Sequence, residues 1–198
     1  MTKEAPASDD EDVSQMAIVV VSGSGRGVGK TALVCGLIAA LPEFQWTAVK
    51  ITNHEHGKPE MVFEDLEAGQ GTDTGRYLSA GARRAFLVTA ESESVGTILN
   101  GLLASRAPDE SFIFESNRVL AHLAPDICLT IQAEPAAELK PSYGQVLEHA
   151  DAFVRQAELD FVLARSDDEK PVFQLAAFEK ISPYMLRWLH RRLHTALL

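Results

Sequence analysis

Between Val21 and Thr31 the chain reads Val-Ser-Gly-Ser-Gly-Arg-Gly-Val-Gly-Lys-Thr. Glycine at every second position lets successive main-chain N–H groups turn toward one point. A helix beginning at the lysine aims its positive end at the same point. Such a cradle suits several negative oxygens at once, which is the chemistry of a polyphosphate. Lys30 is then placed to reach the β- and γ-phosphates, and the Thr31 hydroxyl to ligate Mg²⁺. The nucleotide-lining stretch is Gly23, Ser24, Gly25, Arg26, Gly27, Val28, Gly29, Lys30, Thr31 and Ala32. Two patterns are nearly met here. GxxxxGK[ST] asks for glycine where Ser24 stands, while GxGxxG meets Val28 if started at Gly23 and Lys30 if started at Gly25. Gly-Lys-Thr at the mouth of the helix decides for a triphosphate, ATP or GTP, because a nicotinamide fold has no use for a lysine there.

A bound Mg²⁺ needs oxygen ligands, usually one or two carboxylates directly or through water. The apolar run Ser111–Glu115 ends in a carboxylate, and a buried strand rarely ends so without a partner. Glu115 therefore suits a Walker-B-like role; a helix cap or an ion pair is the alternative. Asp73 opens a helix, where an N-cap role explains it locally, and Asp65 is a rival carboxylate from the same loop. His54 and His56 have HxH spacing, which puts both rings on one side of an extended loop. Zinc would want three or four ligands, and no nearby cysteine completes the set, so a substrate contact beside the γ-phosphate is the reading taken. His122, His149, His190 and His194 have no companion groups and read as structural or solvated.

These groups need elements to hold them. Met16–Val21 reads as a strand buried on both faces and Lys30–Leu41 as a helix ended by Pro42, with Trp46–Ile51 a second strand. The stretch Asn53–Thr72 is polar and without period, which reads as a lid or binding loop. Then follow a short helix over Asp73–Ala80, strands at Arg84–Val88, Ser111–Glu115 and Asp126–Ile131, and a helix at Val95–Ala104. A short helix at Gln145–His149, strands at Ala152–Arg155 and Val172–Leu175, and a final helix Pro183–Leu197 complete the pattern. Strands alternating with helices imply a three-layer α/β/α fold with a mostly parallel sheet, and ligands beyond the carboxyl ends of its strands.

With 198 residues, 46% of them hydrophobic, one such domain over residues 15–198 is the natural expectation. Residues 1–14 are acidic and poor in apolar groups, which reads as a disordered tail and not as a secretory signal. The net charge of −10 argues against nucleic acid or an anionic membrane as partner. No apolar run approaches the roughly 18 residues of a membrane span. Cys35 and Cys128 sit in apolar segments far apart, as reduced side chains of a cytoplasmic protein would.

The loop with serine for its first glycine resembles that of dethiobiotin synthetase. It also resembles that of the molybdopterin-guanine dinucleotide biosynthesis adapter protein B (MobB) family, and three further stretches favour the second. Ala48-Val49-Lys50-Ile51-Thr52-Asn53-His54 resembles that family's strand ending in Lys-His-Thr-His. Thr72-Asp73-Thr74 with Ala80-Gly81-Ala82 resembles its Lys-Asp-Ser … Ala-Gly-Ala segment, and Phe114-Glu115-Ser116 its strand ending Glu-Gly. The likeness covers roughly residues 16–120. It implies a P-loop NTPase fold, Lys30, Lys50 and Asp73 as catalytic groups, and Thr31, Asp73 and Glu115 around Mg²⁺. It also implies slow GTP or ATP hydrolysis in aid of attaching a nucleotide to molybdopterin, with a protein partner or a second copy. The ligase activity of the first family and a nucleotide-dependent switch without turnover stand as alternatives. The lysine that many members of the wider class carry early in the loop is Gly25 here. Arg155-Gln156 lies where many GTP-binding relatives place Asn-Lys-x-Asp, so the base stays open.

Overall fold

A computed structural model describes residues 16–53, 59–132, 143–163 and 170–195. Its strands are β1 (Ile18–Gly23), β2 (Trp46–Asn53), β3 (Met61–Asp65), β4 (Arg84–Ala90), β5 (Ser111–Glu115), β6 (Ile127–Ile131), β7 (Ala152–Gln156), β8 (Phe161–Leu163) and β9 (Val172–Leu175). Its α-helices are α1 (Lys30–Ala40), α2 (Asp73–Ser79), α3 (Ser92–Ala104), α4 (Tyr143–His149) and α5 (Pro183–Thr195). The strands form one sheet in the order β3-β4-β2-β5-β1-β6-β7-β9-β8. All neighbours run parallel except the two edge strands, β3 against β4 and β8 against β9. Parallel strands are buried on both faces, which is why β1, β5 and β6 are almost unbroken apolar runs.

Two apolar cores flank the sheet, as the three-layer expectation requires. On one face Val19 and Val21 meet Leu33, Leu37 and Ile38 of α1, Tyr77 of α2, and Met185 and Leu189 of α5. On the other, Val20, Val49, Phe86 and Phe114 meet Val95 and Leu99 of α3 and Val146 of α4. Parallel register then decides what meets at the carboxyl ends. Glu115 lies beside Val21 of β1 on one side and beside Lys50 of β2 on the other.

Two expectations need correction, and one strand was not foreseen. Residues 53–72 are not a structureless loop, because Met61–Asp65 pairs antiparallel with β4. As an edge strand it exposes Met61, Val62 and Phe63, so it carries no burial pattern to read. The cap of α2 is Thr72, whose hydroxyl accepts from the Gly75 N–H, while Asp73 is the first helical residue and is released from capping. The three-residue strand β8 had no signal in the sequence. Residues 1–15, the acidic tail among them, lie outside the described residues, as do His54 and His56. Cys35 and Cys128 are free and buried. Among the described residues no helix is long and apolar enough to cross a membrane.

Candidate functional site

The loop leaves β1 at Gly23 and enters α1 at Lys30. Its departure is fixed by Asn117, two residues beyond β5. The Asn117 Oδ1 accepts from the Gly23 N–H at 3.0 Å, and the Asn117 amide donates to the Gly23 carbonyl at 2.9 Å. The Ser24 N–H donates to the Ile131 carbonyl at the end of β6. The loop is thus held from both neighbouring strands. Its entry into the helix needs Gly29 at φ 98°, a left-handed conformation that side chains resist. A Cβ there would also stand 2.3 Å from the Phe178 ring, so glycine is required twice over. Among the described residues no side-chain cap is made at the N-terminus of α1 and no acid sits in its first turn, so its N-terminal amides turn their positive end toward the loop. The Lys30 ammonium arches back over the loop and donates to the Gly25 carbonyl at 2.6 Å. Val28 and Ala32 pack against the core beneath the loop, and Arg26 and Gly27 are exposed at its tip.

Four elements converge beside the helix mouth. The Thr31 hydroxyl donates to Glu115 Oε2 at 2.8 Å. Lys50 Nζ donates to Asp73 Oδ2 at 2.5 Å, Glu115 Oε1 at 2.9 Å and Thr31 Oγ1 at 3.4 Å. The Tyr77 hydroxyl, fully buried, donates to Glu115 Oε2. Glu115 is only 5% exposed, and these three donors are what make a carboxylate tolerable there. Burial pulls the Lys50 pKa down, but Glu115 and Asp73 outweigh it and hold the ammonium above its ordinary value. For Asp73 burial works upward and the Lys50 bond and charge prevail, leaving it below the ordinary range. Burial, with the Glu115 charge, pushes the Tyr77 phenol well up, so it stays a donor. Asp65 is drawn elsewhere. It accepts from the Thr72 and Thr74 hydroxyls and the Glu67 N–H, bracing the turn before α2.

A cavity of about 1060 Å³ opens over this cluster, lined by the loop from Gly23 to Arg26, by Lys30, Lys50 and Glu115, and by the ends of β2, β4 and β5. A smaller one of about 470 Å³ lies on the other side of the loop, against Gly27–Gly29, Gln132, Arg155, Gln156 and Phe178. The structure therefore brings Lys30, Thr31, Lys50, Asp73 and Glu115 together. Sequence reasoning missed Tyr77, Asn117 and Phe178. Asn117 had one available signal, its place two residues past an apolar strand ending in a carboxylate.

The strand order, with a glycine-rich loop joining a central parallel strand to the helix it feeds, defines a mostly parallel α/β fold of the P-loop type. No family model and no curated protein matches the chain. Among solved structures it is similar to LpxK from Aquifex aeolicus in complex with ATP, at 20% identity and TM-score 0.49 over 80% of this chain and 53% of that one. It is also similar to HypB from Helicobacter pylori in complex with nickel, at 16% identity and TM-score 0.42 over 72% of this chain and 65% of that one. The chain thus spans less than two thirds of the length of either. The fold rests on its own geometry and not on these likenesses.

Proposed function

We propose that the chain binds a nucleoside triphosphate with Mg²⁺ on the Gly23–Thr31 loop and turns it over slowly. One observation carries this reading: the Lys50 ammonium is lodged among the Thr31 hydroxyl and the Asp73 and Glu115 carboxylates. Three hard oxygens already share a cation, which is the donor set that suits Mg²⁺. Thr31 and Glu115 would hold the ion, Asp73 directly or through water. Among the described residues no group of three or more His, Cys, Asp or Glu forms a cage. That accords with an ion that takes its remaining ligands from phosphates and water. When bound, Mg²⁺ supplies neutralisation of charge on the phosphoryl oxygens.

The chain's own residues do the rest. The loop amides and Lys30 bind and orient the phosphates. Tyr77 and Thr31 hold the Glu115 carboxylate in place by the hydrogen bonds they donate to Oε2. Lys50, once its carboxylates face another cation, offers its charge to the phosphoryl group in flight. The finer reading, a MobB-like NTPase assisting nucleotide attachment to molybdopterin, is supported by Asp73 of the Thr-Asp-Thr segment meeting Lys50. The test is calorimetry with ATP, GTP and non-hydrolysable analogues, with and without Mg²⁺, beside a phosphate-release assay on Lys30→Ala. Mg²⁺-dependent binding, and hydrolysis lost in the variant, are expected. Hydrolysis unchanged in Lys30→Ala would sink the assignment.

A further inference from the structure

The larger cavity does not end at the phosphate loop. It continues past Lys30, Lys50 and Glu115, along the ends of β2, β4 and β5, to Thr52, Asn53, Thr89, Ser116, Asn117 and Arg118. The groups suited to a terminal phosphate, Lys30 and Lys50, and the carboxylate suited to its metal ion, Glu115, line this cavity and not the smaller one across the loop. The space beyond them is therefore where a second molecule would meet that phosphate.

Arg118 stands in the far wall. Its Nη1 donates to the Thr52 carbonyl at 3.0 Å, fastening the guanidinium across the end of β2. Its Nε is buried and has no hydrogen-bond partner among the described residues. Burial draws the pKa of Arg118 below the ordinary arginine value, although Glu60 acts the other way. A guanidinium does not shed its proton in this setting, so the unmet donor remains a cationic one. Buried donors left unpaired are costly, and a planar oxyanion bridging Nε and a terminal nitrogen is the partner that guanidinium geometry favours. Asn53 and Ser116 along the same wall offer neutral polar groups for the rest of such a molecule.

We propose that this outer half of the cleft is a second ligand site, taking a small molecule whose carboxylate or phosphate group pairs with Arg118. The proposal rests on the nucleotide reading of the loop. The protein, loaded with a non-hydrolysable triphosphate analogue and Mg²⁺ so that the loop is filled, is titrated calorimetrically with inorganic phosphate and separately with malonate. At least one probe binds saturably, and the two arms tell a phosphorylated ligand from a carboxylate. Arg118→Gln weakens that probe about tenfold or more, as loss of a charged, paired donor set does. Arg118→Lys keeps the charge but not the fork and weakens it less, and both variants hold the analogue within about twofold of wild type. The proposal is overturned if neither probe binds the loaded protein. It is equally overturned if Arg118→Gln binds the probe as wild type does and loses only thermal stability, the signature of a mere strut to Thr52. Should the analogue itself fail to bind wild type, the nucleotide reading falls, and this one with it.

Discussion

Replacing Lys50 with methionine keeps the stem and removes the charge, and its consequences can be worked through from the site. Glu115 is 5% exposed and the Lys50 side chain 19%, so one partner of a largely desolvated cluster is left without its cation. Removing one member of a buried pair costs about 3–5 kcal/mol. Asp73 is 39% exposed, and Thr31 and Tyr77 still donate to Glu115, so about 2–3 kcal/mol is the figure here. For a chain of this size each kcal/mol moves the melting temperature by about 2–4 °C, so Lys50→Met should melt about 5–10 °C lower in buffer free of divalent ions. Mg²⁺ should then restore part of the loss without any nucleotide, because the ammonium no longer contests the three oxygens. At ten times its dissociation constant the ion returns about 1.4 kcal/mol, or roughly 3–5 °C. Wild type should gain less at the same concentration. Scanning calorimetry over a Mg²⁺ series reads both effects. A variant melting within about 1 °C of wild type, or equal Mg²⁺ shifts in the two proteins, would refute a cation-holding role for this cluster.

Three more expectations can be checked alongside it. Gly29→Ala combines a left-handed φ with a methyl 2.3 Å from the Phe178 ring. It should cost about 1–3 kcal/mol by denaturant titration and weaken triphosphate binding at least as much as Gly27→Ala, whose added methyl meets nothing within 4 Å. Asn117→Ala deletes both bonds to Gly23 and should lower stability by about 1–2 kcal/mol, with a several-fold loss of triphosphate affinity in calorimetry. On the alkaline side the pKa values of Lys50 and Tyr77 are both raised by folding, so their contribution is whole below the unfolded values near 10. It is lost as pH rises through the folded ones. Urea midpoints should therefore fall above about pH 10, less steeply in Tyr77→Phe; an unchanged slope in that variant would remove Tyr77 from the account.

Much of the site was visible in the sequence because its signals are local. Gly29-Lys30-Thr31 announces a loop opening a helix, and Ser111–Glu115 shows an apolar strand that stops at a charge. What could not be read is whatever depends on register between distant segments. Lys50 meets Glu115 because β2 and β5 are neighbours aligned residue against residue, and nothing near Lys50 says so. Thr72 and Asp73 are both good capping residues, and only the geometry assigns the cap to the first and frees the second for Lys50. The edge strand β3 escaped for the opposite reason: with both faces largely open to solvent, it has no alternation to betray it. Tyr77 lies within α2, and its role is set only when that helix packs against α1 and the sheet.

Phe178 links the loop to a remote part of the chain. Its ring lies against Gly29, and its carbonyl sits where a side chain on Gly36 would have to go, since a Cβ there would be 2.5 Å from that oxygen. Helix α1 is therefore notched to admit the segment that follows β9. The cradle is formed by residues 23–31, yet its back wall is supplied by Phe178, far along the sequence from it. During synthesis the glycine loop would emerge long before the ring that props it, and contacts so distant along the chain form late. The proposed phosphate binding should thus ripen only with docking of β9, which makes it a reporter of that docking.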